Sequence, residues 1–372
     1  MSTLKVNTIG NKGSAVDFPN KLKVRGNAIE QGYTASGTEP SSPSEGDYWW
    51  DSTNEILYQY INSEFKTISF PSAGFAWGGD RAIISGGRDS SSTALNNIEY
   101  YDITTTGNAA DFGDLTVARV LCAACSSTER ALIFNGYYGS GTDVESIDYV
   151  AIATLGNAAD FGDSLHNKIK ISCASDGTYG FHIGGQGVTT ATTGQIGRVT
   201  ISTLGDSTDF GDLTTNADYT GAVYGASYVH VGGGDRGGYS NVIDYFATVV
   251  AGNASDFGDL TSAREEFDAC GDTTRGVWCG GRTSGSISVN TMDYVTLGTA
   301  ANASDFGDLA GTRRVHACTS NETYGTINGG MQSSTLKDQI MYFTIQTTGN
   351  ASDFGDLSQD NNYLSACSGN AS

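Results

Sequence analysis

The chain has 372 residues, rich in Gly (50) and poor in Pro (4), with a formal net charge of −21. That acidity argues against a nucleic-acid partner, whose phosphates need clustered Lys and Arg, and no stretch approaches the ~18 apolar residues of a spanning helix, so no membrane insertion is expected. Abundant Gly, Tyr, Thr, Ser, Val and Ile suit short strands joined by tight turns, and helix-period apolar stripes are almost missing.

Residues 1–34 open on Met1-Ser-Thr-Leu4-Lys-Val6-Asn-Thr8-Ile9, which has no apolar signal core. A Gly-rich stretch and Val16-Asp-Phe-Pro-Asn-Lys-Leu-Lys-Val24 follow. From Ala35 to Gly46 the composition is that of a low-complexity linker. Behind it, Asp47-Tyr-Trp-Trp-Asp51, Glu55-Ile-Leu-Tyr-Gln-Tyr-Ile61 and Glu64-Phe-Lys-Thr-Ile68 are separated by turn residues, which predicts a three-stranded meander and a small module over 35–69. Three strands alone are marginal, so the module is expected to pack on a neighbour or another subunit.

The rest of the chain is dominated by one near-identical phrase, Gly-Asn-Ala-x-Asp-Phe-Gly-Asp-Leu. Its copies place their first Asp at Asp111, Asp160, Asp209, Asp256, Asp305 and Asp353, at intervals of 49, 49, 47, 49 and 48 residues. Such a period means one supersecondary unit, stable only when stacked on its neighbours. Each unit holds four segments: a small-residue strand (Val120–Ser126), an apolar strand ending in paired glycines (Ile83–Gly87, Phe181–Gly185), an Ile-Asp-Tyr strand (Ile147–Tyr149, Ile243–Tyr245) and the phrase itself. In the second unit Gly136-Tyr137 stands for the glycine pair, and in the third Gly197-Arg198-Val199 replaces the acid-Tyr strand. Four strands in about 49 residues is the size of a propeller blade, so 70–372 is predicted to be an all-β, six-bladed propeller. Ala73–Trp77 and Tyr363–Ser368 both read as innermost strands, one more than six blades need; the C-terminal strand is expected to close against the first blade, or else to pair beside Gly74–Trp77.

The chemistry-bearing residues have plainer readings. Asp-Phe-Gly lacks the phosphate loop, strand lysine and His-Arg-Asp of a kinase. Its paired carboxylates could hold calcium, but turn chemistry accounts for the repetition more simply, with Asp accepting backbone N–H groups and Gly supplying φ > 0. His182 and His230 both precede a glycine pair, where other units carry apolar residues such as Ile84 and Trp278, and read as core; His166 and His316 are isolated. Five of the seven cysteines (Cys125, Cys173, Cys270, Cys318, Cys367) fall on the small-residue strand, read as one repeat position too far apart for disulfides. Buried free thiols are expected, with no metal and no cofactor. No sialidase boxes and no convergent Tyr, Cys and His copper set occur, so no enzymatic activity is expected. Paired carboxylates leave a polysaccharide-degrading reading as an alternative.

The segments after the glycine pairs differ most between units, and all would emerge on one face of the ring. Variable loops on a rigid scaffold are a usual place for recognition. Arg88, Tyr138, Arg236, Tyr239 and Arg282 are therefore the candidate ligand-binding residues, suited to stacking on and hydrogen-bonding a carbohydrate.

Paired glycines, an acid-Tyr strand, an aromatic and then Arg (Arg119, Arg264, Arg313) resemble the kelch repeat over roughly 74–372, with Phe in place of the usual outer-strand Trp. That resemblance implies a ring in which one terminus completes the blade begun by the other. The N-terminal Leu4–Ile9 motif, the Pro-rich lead-in to Asp47–Asp51 and the repeated phrase together resemble virion fibre and appendage proteins of tailed bacteriophages of marine bacteria. This second resemblance implies a virion protein assembled in the host cytoplasm. Leu4, Val6, Thr8 and Ile9 would attach it to other virion proteins, homotrimers being common for such anchors, and the propeller would be displayed to bind host-surface glycan. The alternatives are a purely structural virion protein and a polysaccharide-degrading spike.

Overall fold

The computed structural model describes residues 78–138, 142–187 and 191–371, with shorter stretches between 23 and 67. The chain divides into two units, Met1–Ala73 and Gly74–Ser372. In the first, Tyr48–Asp51, Ile56–Ile61 and Glu64–Thr67 form the expected antiparallel meander. Tyr33–Ser36 adds a fourth strand, parallel to Tyr48–Asp51. Parallel neighbours need a long connection, and the polar stretch that reads as linker supplies it. Trp49 is buried there and meets Phe65 edge-on at 5.3 Å. Leu4, Val6, Thr8 and Ile9 lie outside the described residues.

The second unit is a six-bladed β-propeller of four-stranded antiparallel sheets. Blade 2 runs outward from the ring centre through Ala123–Ser126, Arg130–Phe134, Ser146–Ala151 and Ala159–Asp163. Blades 3 to 6 repeat this order from innermost strands Ser172–Ser175, Gly221–Gly225, Asp268–Gly271 and Ala317–Ser320. Blade 1 is built of Arg81–Ser85, Asn97–Asp102 and Ala110–Asp114, and its innermost strand is the C-terminal Ser365–Gly369. Register runs from Ser365 opposite Ser85 to Gly369 opposite Arg81. The ring is thus closed by the C-terminus; Ala73–Trp77 lies outside the described residues. Between blades the second to fourth strands bury apolar faces, for example Ile83, Ile98 and Phe112 against Ala131, Ile133 and Val150.

The repeated phrase is a two-sided joint. Gly156 and Ala158 of blade 2 donate backbone N–H groups to the carbonyls of Phe112 and Asp114 in blade 1, at 2.9 and 2.8 Å. The Asn157 side-chain oxygen accepts from Asp114 N at 3.1 Å. The same Asn contact recurs at the junctions of Asp163 with Asp206, of Asp212 with Asn253, of Asp259 with Asn302, of Asp308 with Asn350 and of Asp356 with Asn108. Gly113 has φ +151, and a Cβ on it would fall 2.4 Å from the Gly156 carbonyl oxygen, so only Gly fits. Each copy must match the copies on both sides, which explains its uniformity. Among the described residues the acceptor in this joint is the Asn (Asp206 in one copy), not the carboxylates of Asp-Phe-Gly-Asp, which point outward.

Buried acids form a second set of inter-blade joints. Asp148, Asp244 and Asp293 each accept the hydroxyl of the Thr that follows the preceding blade's phrase (Thr116, Thr214, Thr261) at 2.8, 2.7 and 2.6 Å. Each also meets a guanidinium: Arg119 at 2.9 Å, Arg236 at 2.7 Å and Arg264 at 2.6 Å. In blade 4 the expected Arg position is Ala217, and Arg236 reaches in from the following loop to replace it. In blade 3 Gly197 stands for the acid because His182 fills its place: a Cβ there would come within 2.0 Å of His182 Nε2.

Three alignments read from the sequence shift by one residue. The left-handed turn of blade 2 is Asn135-Gly136 (φ 54 and 119) rather than Gly136-Tyr137, Asn being tolerated in that region. In blade 4 the turn is Gly233-Gly234 (φ 58 and 89), so the preceding Gly232 is strand and His230 lies one position off His182. The five cysteines do not share one register. Cys125, Cys270 and Cys367 oppose Leu132, Val277 and Ile83, three residues before their turns. Cys173 and Cys318 oppose His182 and Ile327, two before. Side chains alternate in strands, so those two face the preceding blade: Cys318 joins Cys270 and Cys279 in one core, and Cys173 packs beside Cys125. All seven are free thiols.

Candidate functional site

The innermost strands surround a channel, and the residue leading into each one sets its mouth. Leu121, Lys170, Tyr219, Glu266, Val315 and Tyr363 all adopt left-handed backbone, with φ between 51 and 60. None is Gly, and each such residue costs roughly 1–2 kcal/mol. The compensation is a chain of backbone hydrogen bonds that links the six residues from Glu266 through Val315, Tyr363, Leu121 and Lys170 to Tyr219. Leu121 N donates to Tyr363 O at 3.0 Å, Lys170 to Leu121 at 3.3 Å, Tyr219 to Lys170 at 2.9 Å, and Val315 to Glu266 and Tyr363 to Val315 at 2.8 Å each. These six residues line a cavity of about 100 Å³ at the channel mouth. That is below the ~300 Å³ of the smallest usual ligand pockets, so it has room for water rather than a sugar.

The residue after each glycine turn pairs with the lead-in segment and forms an outer rim. The pairs are Arg88 with Asn362, Tyr137 with Val120, Gln186 with Ile169, Asp235 with Asp218, Arg282 with Glu265, and Met331 with Arg314. Arg88 and Arg282 of the predicted residues therefore stand on this rim. Arg88 lies over the Tyr363 ring at 4.9 Å, and Lys170 over the Tyr219 ring at 4.6 Å. Arg282 pairs with Glu265 at 2.7 Å and Glu266 at 3.2 Å, and Arg314 pairs with Glu266 at 2.6 Å. Tyr239 bridges to Asp235 in the blade 4 loop, and Tyr138 is 48 % exposed, one residue beyond the rim position held by Tyr137. Arg236 is not on this surface: its side chain is 5 % exposed and committed to Asp244. The lead-in residues were missed by sequence reasoning. They carry a signal, because they recur at the intervals of the phrase while changing identity each time.

Carboxylates gather on one side of the rim. Oxygens of Asp218, Asp235 and Glu265 all lie within 4.8 Å of one another. Asp235 Oδ1 accepts from Gly237 and Gly238 N at 2.9 and 2.7 Å, Glu265 Oε1 from Arg282, and Asp218 faces Lys170 at 3.7 Å. Burial pushes Asp218 up to about 6, against the pull of Lys170. On the channel wall burial pushes Asp268 up to about 7, although Cys318 N and Ala269 N both donate to it.

These shifts oppose those of the buried histidines. Burial lowers His182 and His230 to about 4 and His316 to about 3. A raised carboxyl binds more protons folded than unfolded, so it loses stability as pH rises from about 4 to its folded value; a depressed histidine gains stability over about 4 to 6.5. Asp268→Asn removes one falling contribution. The stability of this variant relative to wild type is expected to rise steadily between pH 4 and 7, read by urea unfolding at several pH values. A constant difference would show that Asp268 does not titrate there.

No protein-family model matches the chain, and no curated protein matches it. The class of the protein therefore rests on its fold, a six-bladed β-propeller.

Proposed function

We propose that this protein is a virion appendage of a tailed phage and that its channel-mouth face binds a host-surface glycan without cleaving it. The observation that carries the reading is a contrast. The phrase is near-identical in six blades, whereas the mouth residues at the same intervals are Leu, Lys, Tyr, Glu, Val and Tyr. A scaffold under one constraint with a varied surface on it is how recognition is laid on a rigid fold. Half-buried Tyr219 and Tyr363 supply aromatic surface, and Arg88, Lys170, Arg282 and Arg314 supply donors for hydroxyl and carboxylate groups. The glycan lies across the rim, since the channel is too narrow to admit it. The phage assignment, the anchoring role of Leu4, Val6, Thr8 and Ile9, and a homotrimer rest on the resemblance of the N-terminal motifs.

Two observations favour other readings. Three converging carboxylates with Asp218 protonated near pH 6 would suit glycoside cleavage; here Lys170 and Arg282 pair with them. Exposed Leu155, Leu204, Val249 and Val250 sit at the third-to-fourth strand turns of blades 2 to 4, at the end opposite the mouth, where they would suit packing on another virion protein.

The test is binding of the full-length protein to intact marine bacterial cells and to their extracted polysaccharide, followed by chain-length analysis. Binding without shortening is expected, and Tyr363→Ala should weaken it roughly tenfold, as one lost aromatic contact would, in protein that is still folded at the assay temperature. Shortening that Asp218→Asn abolishes would overturn the non-enzymatic reading. Folded protein that binds no cell type or polysaccharide would favour the structural role.

A further inference from the structure

We propose that a small inorganic anion, of the size and charge of chloride, binds beside Arg313 at the junction of blades 5 and 6. This goes beyond the glycan reading and does not depend on it. Arg313 is 1 % exposed, and its Nε and Nη1 have no hydrogen-bond partner. Nη2 donates to Gln339 Oε1 at 2.8 Å. In blades 2, 4 and 5 the guanidinium in this role meets a fully buried aspartate at 2.6–2.9 Å. In blade 6 the residue in that register is Met341, opposite Ile327 and Asp353 as Asp293 is opposite Trp278 and Asp305. The Thr that binds the aspartate elsewhere is replaced as well, by Ala310. Both parts of the anionic half are gone and the cation remains.

Arg stays charged at neutral pH, and a buried charge without a counter-ion is strongly unfavourable. No ion pair is formed by Arg313 among the described residues; Asp338 acts on it only through the field. His316 lies alongside, its Cβ and the Arg313 Cδ both against Gly330, and burial keeps it neutral. The charge at this junction is therefore that of Arg313. A water would satisfy N–H groups and leave the charge. A halide accepts from both nitrogens and neutralises it.

The experiment is thermal unfolding of the full-length protein in sodium chloride against sodium gluconate at equal ionic strength, gluconate being a far larger anion than chloride. Chloride is expected to raise Tm saturably by roughly 2–4 °C once it exceeds its Kd several-fold. Met341→Asp supplies a tethered carboxylate and should raise Tm in gluconate while abolishing the chloride response. Arg313→Gln removes the charge and should abolish the response. Bromide soaked into crystals should give an anomalous peak within hydrogen-bond reach of the Arg313 guanidinium. Equal melting of the wild type in both salts overturns the proposal, as does a full chloride response in Met341→Asp or Arg313→Gln, or bromide bound only elsewhere.

Discussion

A chain ending at Tyr363 is expected to lose the folded ring, not merely its last strand. Ser365–Gly369 is the whole innermost strand of blade 1, paired along its length with Arg81–Ser85. It also ties two other blades to the first: Ser126 Oγ donates to Ser368 O at 2.6 Å, and Ser368 Oγ donates to Ser320 O at 2.6 Å. Leu364, Ala366 and Cys367 are buried in the cores on either side. Without them the cores around Ile83 and Ile84 lose cover, and Arg81–Ser85 becomes an unpaired strand edge on the channel. Burial of side chains of this kind contributes about 1.5–3 kcal/mol each, so the loss, with the ladder, is on the order of 5 kcal/mol or more. Total stabilities are ~5–15 kcal/mol. Urea unfolding of the truncated and full-length chains reads this directly, and a peptide spanning 364–372 added in trans should restore part of the midpoint. A truncated protein melting like the full chain would refute closure by the C-terminus.

The second large effect is expected at Asp293. Its carboxylate is fully buried and holds Arg264 at 2.6 Å, Thr261 Oγ1 at 2.6 Å and Thr261 N at 3.1 Å. Asp293→Ala leaves the Arg264 guanidinium buried and unpaired, which typically costs about 3–5 kcal/mol. The double variant Asp293→Met with Arg264→Met removes both charges and should recover most of that loss, since buried pairs give little over well-packed apolar side chains. The urea midpoint should fall in the single variant at unchanged slope. A double variant as unstable as the single one would mean that the pair does more than neutralise itself. Arg236→Ala should resemble Asp293→Ala in its effect on melting, because Arg236 is the guanidinium that serves Asp244.

Much of this architecture is legible in the sequence. The phrase is local, repeated and constrained on both sides, so its period gave the number of blades and its flanking segments gave the strand order. The glycine turns and the apolar strands before them followed from backbone and periodicity alone. What misled was alignment by single residues. Gly232-Gly233-Gly234 offers two glycine pairs, and Asn135 fills a left-handed position that glycine usually marks, so His230 and Tyr138 were set one place from their true columns. A one-residue shift in a strand turns a side chain to the other face, and that shift is what brings Cys318 to Cys270 and Cys173 to Cys125.

The six-fold repeat and the four strands of each unit were determined by the sequence itself, because each depends on residues close together in the chain. Tertiary structure alone decided which terminus closes the ring, that Arg236 replaces an arginine lost at Ala217, and that Leu121, Lys170, Tyr219, Glu266, Val315 and Tyr363 meet around one mouth. Those outcomes depend on contacts between residues separated by a whole blade or by most of the chain. Only the closing of the ring brings such residues together, so no local pattern encodes them.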